Sequence, residues 1–360
     1  MKYDFIIVGQ GIAGTVLSDH LMSAGLEVLV IDNSELSNSS RVAGGLYNPI
    51  TGRKMVKTWR ADDLFNYLQS YYTKLEEKLE AAFLNDKAIY RPFFSFEELN
   101  EWMGKSIEPE YASYIKEVFG HSEYGNHVND EYGGLLLNRC GYLDTVTLLD
   151  TYRKHLDVLS RLKKEAFDFN ELNLTAEGVD YKGDSARRII FADGQLLRNN
   201  SFFNWLPLKP VKGELLYVRV EEPIDVIYNR GVFVIPIGDG ICKVGSTYDH
   251  NNLNSVTTKE AKLELTKRLK DLVNFKFEVV DQKAGVRPAT KDRKPFIGIH
   301  PAHDQIGIFN GFGTKGVSLV PYFANQFVGT LTKGAELDPE VNIRRFFSLY
   351  WKPFNKKNNG

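Results

Sequence analysis

The chain has 360 residues, 43% of them hydrophobic and 25% charged, and a formal net charge of −1. This length supports two domains sharing an interface, with a generous core, and the near-neutral balance excludes a global field that would recruit nucleic acid or an anionic membrane. The two cysteines, Cys140 and Cys242, lack CxxC spacing, which excludes a disulfide framework, a zinc ribbon and a dithiol redox centre and fits a reducing compartment.

Phe5 to Val8 predict a buried strand, and Gly9, Gly11 and Gly14 open a helix whose apolar face includes Ile12, Ala13, Val16, Leu17 and Leu21. A second strand, Val28 to Ile31, ends in Asp32. Together these form the pattern of an adenine-dinucleotide site. Gly9 permits a tight turn, Gly11 lets a pyrophosphate approach the backbone, and Gly14 lets the helix pack on the strand. The helix N-terminus turns unpaired N–H groups and a positive dipole end toward phosphate. Asp32 stands where a carboxylate accepts hydrogen bonds from ribose hydroxyls. The motif alone does not separate FAD from NAD. The apolar run before Gly9 is too short for a signal-peptide core and no later run approaches a bilayer span, so a cytoplasmic enzyme is expected.

Residues 33–60 read as a loop of small residues on which a flat ligand can lie, with Asn33, Ser40, Arg41, Ala43, Gly44, Gly45 and Asn48 as candidate cofactor contacts. Arg53, Lys54, Lys57 and Arg60 beside Trp59 form a basic cluster, either a receiver of an anionic substrate or RNA, or a solvated surface. Leu64 to Phe83 recur at helical spacing, Tyr90 to Phe96 predict a strand, and Glu97 to Gly104 a short helix. Gly141-Tyr-Leu-Asp-Thr precedes a helix through Leu148, Leu149, Tyr152 and Leu156, and Arg188 to Phe191 form a buried strand before Ala192-Asp-Gly194.

From Pro207 the texture is β-rich. Glu214 to Val220 and Gly231 to Ile237 are predicted strands, Gly238-Asp-Gly240 signals a hairpin into Cys242 to Thr247, and Phe277 to Val280 is a further strand. Thr257-Thr-Lys-Glu260 reads as a capping box for a helix through Leu263, Leu265, Leu269 and Leu272. The last third holds Gly285 to Gly298, a surface loop at His300 and His303, the strand Gln305 to Phe309, and Asn310-Gly-Phe-Gly-Thr-Lys-Gly316 leading into a final helix.

The N-terminal glycine motif with Asp32, Gly285-x-Arg287-Pro288-x-Thr290-x-Asp292-x-x-Pro295-x-x-Gly298, and Gly311-x-Gly313-x-x-Gly316 together resemble the D-amino-acid oxidase, glycine oxidase and sarcosine oxidase family. Gly141-Tyr-Leu-Asp, Pro210-Val-Lys-Gly-Glu214, and Pro236 through Gly245-Ser-Thr247 agree in order. Locally, Ala43 to Pro49 and Gly313 to Gly316 look most like the flavin domain of the bifunctional tRNA wobble-uridine modification enzyme, whose methyltransferase half has no counterpart here.

The resemblance implies an α/β plus α+β fold: a Rossmann-like FAD-binding domain of the glutathione-reductase type with an inserted mixed β-sheet substrate domain. The FAD domain is expected from 1–80, 136–206 and 284–345, the substrate domain from 81–135 and 207–283, and a tail from 346–360. It implies noncovalent FAD and oxidation of the C–N bond of a small amine or amino acid by hydride transfer to flavin, with oxygen as acceptor. A tRNA-modifying flavoenzyme and a non-catalytic dinucleotide-binding sensor are the competing readings.

The resemblance also assigns Arg287 to the substrate carboxylate, in a bidentate fork with a structural salt bridge as its alternative. Gly311, Gly313, Thr314, Lys315, Gly316 and Val317 are candidate cofactor contacts, and the N–H groups of Gly313 to Val317 stabilise negative charge on reduced flavin, with a tight turn holding no ligand as the alternative. Lys315 adds a charge there or assists oxygen chemistry, or is simply solvated. Phe233 occupies the position of a substrate-contacting tyrosine of glycine oxidase, which puts glycine itself in doubt; Arg53 is a further substrate candidate. Phe167 and Gly194 are cofactor contacts placed by the order of family elements.

Overall fold

Apolar side chains fill the strand Lys2–Val8 from Phe5 onward, and none of Phe5 to Val8 is exposed to solvent. In the computed structural model, which describes residues 2–33, 39–52 and 54–351, this strand is central to a mixed sheet. It pairs in parallel with Val28–Ile31 on one side and with Asp184–Phe191 on the other. His303–Asn310 continues the sheet in parallel from the second half of Asp184–Phe191, while Val179–Tyr181 joins its first half antiparallel. The helix Ile12–Ser23 crosses between the first two strands, as parallel neighbours require, and packs against the helix Gly316–Lys333.

A second sheet of eight strands takes them from two segments of the chain, 89–137 and 211–287. Its order runs Phe277–Arg287, Val211–Val220, Ile241–Gly245, Val232–Gly238, Ile227–Arg230, Ile89–Pro92, Gly134–Leu137, Ile115–Phe119. Alternation along these strands separates two faces. Leu216, Val218, Val234, Cys242 and Val244 pack with Leu265 and Leu269 of the helix Lys259–Leu272. Ile89, Leu135, Ile227 and Ile235 point the other way, into one core shared with Phe5, Ile7 and the helices Ile12–Ser23, Ala61–Leu79 and Gly316–Lys333. The expected domain limits at 135/136 and 283/284 cut the strands Gly134–Leu137 and Phe277–Arg287.

Several local expectations shift. The strand begun at Phe277 runs on to Arg287, paired with Val211–Val220 throughout. Residues 39–57 contain the short helix Ser39–Val42 and a hairpin of Ile50–Thr51 with Val56–Lys57. The helix Lys259–Leu272 is capped by Thr258, one residue later than the capping box placed it. Its reciprocal acid is Glu214 from the adjoining strand, which accepts the Thr258 N–H at 2.9 Å and the Thr258 hydroxyl at 3.0 Å. His300 is not in a surface loop: it is buried, stacks on His303 at 4.9 Å and packs against Phe203 and Tyr350.

Candidate functional site

One cavity of about 1390 Å³ is lined from both sheets. Every site residue singled out in the sequence lines it except Gly14, Arg41 and Arg53, together with Lys54 and Arg60 of the basic cluster. Gly14 supports the motif from behind, because a Cβ there would lie 1.8 Å from the Gly9 carbonyl oxygen. Arg41 is not at the cavity, since Asp150 of the helix Thr145–Val158 draws its guanidinium into an ion pair. Arg53 lies outside the described residues.

The turn after the first strand is shaped by steric necessity. Gly9 has φ 101°, and a Cβ on it would sit 2.7 Å from the Ala192 carbonyl oxygen. Gly11 begins the helix Ile12–Ser23 without a capping side chain, and the Ile12 N–H donates to Ser40 Oγ at 3.1 Å. Asp32 is held from two directions. One carboxylate oxygen accepts the Gln10 N–H at 2.8 Å, and the other accepts Arg153 Nη1 at 2.8 Å. Sequence reasoning missed Arg153, which stands 121 positions from Asp32 on another helix with no local pattern to announce it.

A second glycine turn meets the first. Gly311 and Gly313 have φ 80° and 57°, the Gly313 N–H donates to the Pro288 carbonyl at 3.1 Å, and the helix Gly316–Lys333 starts without a side-chain cap. A Cβ at Gly316 would lie 3.3 Å from Ile12 Cγ2, so both helix N-termini converge on the cavity. Asp193, also missed as a site residue, ties the turns together. It accepts Asn310 Nδ2 at 2.8 Å and Asn200 Nδ2 at 3.1 Å, while Asn310 Oδ1 accepts the Gly311 N–H at 2.7 Å. Burial pushes the Asp193 carboxyl up to about 6.

Arg287 ends the strand Phe277–Arg287 with its guanidinium over the neighbouring Gly213, where a Cβ would fall 1.9 Å from Nη2. It donates to Ser246 Oγ at 2.7 Å and to the Thr247 carbonyl at 3.2 Å, and lies 4.9 Å from the centroid of the Tyr248 ring. No carboxylate pairs with it among the described residues, so the salt-bridge alternative fails. Burial lowers its affinity for the proton. Phe233 fills the space above two glycines: a Cβ on Gly44 or Gly245 would lie 2.7 or 2.9 Å from its Cζ.

Lys315 is not freely solvated. Its Nζ lies 3.4 Å from the hydroxyls of both Thr51 and Thr58, and burial, with Arg293 and Lys294 adding repulsion, holds the ammonium below the usual lysine range. Two of the four cations of the basic cluster before it are neutralised: Lys57 pairs with Asp62 at 2.8 Å, and Arg60 with Asp63 at 3.3 Å and Asp338 at 2.5 Å. Among the described residues no group of three or more His, Cys, Asp or Glu is placed to hold a metal.

This geometry fits an extended dinucleotide. The volume exceeds the roughly 300–1,000 Å³ of ordinary small-ligand pockets, and a glycine turn, an uncapped helix start and a carboxylate follow one another along its wall. The sequence profile of FAD dependent oxidoreductases matches residues 4–328. The chain belongs to this FAD-dependent oxidoreductase family. It is therefore an enzyme with FAD as its cofactor, on a Rossmann-like cofactor fold joined to a substrate domain.

Within the family, the chain is 25% identical to glycine oxidase of Pseudomonas putida, across 94% of this chain and 97% of that protein. It is 21% identical to the tRNA 5-methylaminomethyl-2-thiouridine biosynthesis bifunctional protein of Legionella pneumophila, across 94% of this chain but only 56% of that protein. The chain thus spans a little over half the length of that bifunctional relative. The crystal structure of glycine oxidase from Geobacillus kaustophilus superposes with a TM-score of 0.78 over 96% of this chain and 98% of that one, at 19% identity, a likeness of fold. No helix among the described residues is long and apolar enough to cross a membrane.

Proposed function

We propose that this flavoenzyme oxidises the C–N bond of a small amine carrying a carboxylate, best represented by an N-substituted glycine. The observation that carries this reading is Arg287: a half-buried guanidinium facing the cavity and bonded only to neutral acceptors. A partly desolvated guanidinium without a counter-charge is disfavoured, and a bound carboxylate would complete it with charge-assisted hydrogen bonds. The relatives named glycine oxidase support the same class of substrate.

Asp32, the first glycine turn and the Gly311 to Val317 turn would hold the cofactor, with the second sheet acting as the substrate domain. Bound FAD supplies the two-electron acceptor that takes a hydride from the carbon beside the substrate nitrogen, leaving an imine that water hydrolyses; oxygen is the proposed terminal acceptor. Arg287 fixes the carboxylate, and the Phe233 ring gives the substrate an apolar wall without a hydroxyl to donate, which disfavours glycine itself. The N–H groups of Gly316 and Val317 and the Lys315 ammonium stabilise negative charge as it develops.

The acids lining the cavity are engaged elsewhere, so the substrate amine has no carboxylate partner and binds neutral. Noncovalent attachment is supported by the two cysteines, whose buried thiols are both pushed up to about 12 and neither of which lines the cavity. Anaerobic titration with N-methylglycine and amino acids tests the reading through loss of flavin absorbance. An amine carboxylate that bleaches the wild type but not Arg287→Ala supports it; bleaching in both refutes the role of Arg287.

A further inference from the structure

We propose that the substrate carries a second anionic group, at the end of its nitrogen substituent, which Arg293 and Lys291 hold at the cavity wall. The inference rests on the amine-carboxylate reading above and narrows it to a dianionic N-substituted glycine.

Charge around the cavity is one-sided once partners are assigned. Its acids are spent: Asp32 on Arg153, Glu165 on Lys182 at 3.1 Å, Asp193 on two amides, and Asp292 on Arg345 at 3.1 Å. Lys294 is neutralised by Glu340 at 2.9 Å. Lys291 and Arg293 line the same wall, are exposed, and pair with no acid among the described residues. Arg287 accounts for one carboxylate, and the glycine turn at the far end offers a pyrophosphate helix N–H groups. With Lys315 bonded to two hydroxyls and assigned above to the flavin, Lys209, Lys291 and Arg293 remain without an acidic counterpart among the described residues, and Lys291 and Arg293 share one turn.

The turn that presents them is built rather than loose. Thr290 Oγ1 donates to the Lys294 carbonyl at 2.9 Å, the Lys294 N–H donates to Asp292 Oδ1 at 3.1 Å, and the Arg293 N–H donates to the Thr290 carbonyl at 3.3 Å. Asp292 is thereby engaged by Arg345 and its own turn, leaving Lys291 and Arg293 free to face an anion. Arg293 adopts φ 60°, a conformation that glycine takes without strain and a side chain takes at a cost. The turn also adjoins Arg287 through Pro288 and Ala289, and it lies close enough to Lys315 for Arg293 to lower the affinity of that ammonium for its proton.

The test compares kcat/KM of the flavin-loaded enzyme for N-methylglycine, N-(carboxymethyl)glycine and N-(2-carboxyethyl)glycine. At least one dianion should exceed the monoanion by roughly tenfold at low salt, with the advantage shrinking as salt screens it. Arg293→Gly suits the backbone and should reduce the dianion-to-monoanion ratio several-fold through KM, with Arg293→Lys restoring most of it. Equal kcat/KM for all three, or a ratio unmoved by Arg293→Gly, overturns this inference while leaving amine oxidation standing. Turnover confined to an amine borne on RNA overturns it too, and turnover of no amine at all removes the underlying reading instead.

Discussion

Arg287 owes its position to a residue that is barely there. Gly213 on the adjacent strand leaves room for the guanidinium, and a methyl group would collide with it. Gly213→Ala is therefore predicted to raise the substrate KM roughly tenfold or more with the charge intact, and Arg287→Lys to do so by losing the two-pronged fork, both with flavin still bound. Steady-state kinetics on the two variants checks this; an unchanged KM for a carboxylate substrate contradicts it.

Lys315 sets a different test. Because its affinity for the proton lies below the ordinary lysine value of 10.5, it loses its charge earlier as pH rises. The kcat/KM profile should rise as the substrate amine becomes neutral, then fall at a pH below 10.5, and Lys315→Met should remove the falling limb. At this scale Arg287 and Lys315 were singled out through the family resemblance of the glycine- and proline-containing motifs around them, and the structure places both on the cavity. Gly213 and Tyr248 were not legible, because their meaning lies in what a neighbouring strand brings against them.

The two glycine turns act as elements, each starting a helix that the other abuts. Arg153 belongs to a third helix and fixes Asp32, which on the proposed placement of FAD would make it a positioning residue for the adenosine end. Loss of one such charged hydrogen bond costs about 1.5–3 kcal/mol at most sites. Arg153→Met should therefore weaken FAD binding to the apoenzyme about tenfold or more and leave FMN, which lacks adenosine, unaffected. Equal weakening for both flavins would mean a general structural role. The strands and helices of the cofactor half were legible because buried parallel strands read as unbroken apolar runs. The strand Phe277–Arg287 was read short because it lies at the sheet edge, where Asp281 and Lys283 face solvent and the apolar signal stops at Val280. The cap of the helix Lys259–Leu272 was misplaced for a similar reason: its acid comes from Glu214, far away in sequence.

At the scale of the whole molecule, one core runs beneath both sheets, so cofactor and substrate sides are coupled through packing as well as through the cavity. Stability carries a pH signature from His300, whose burial lowers it from 6.5 to about 4. The folded state favours the neutral ring, so stability is lost as pH falls from 6.5 toward 4, where the unfolded chain binds a proton that the folded chain refuses. His300→Gln should show a smaller drop in Tm across that window, and an identical drop would exclude His300 as a contributor.

The central claim, that FAD and Arg287 act together on an amine carboxylate, is tested most directly by mixing flavin-loaded enzyme anaerobically with N-substituted glycines and following the flavin absorbance. The account predicts rapid bleaching in the wild type and its loss in Arg287→Ala with flavin content unchanged. Purified protein that takes up FAD yet is reduced by no amine or amino acid would contradict it.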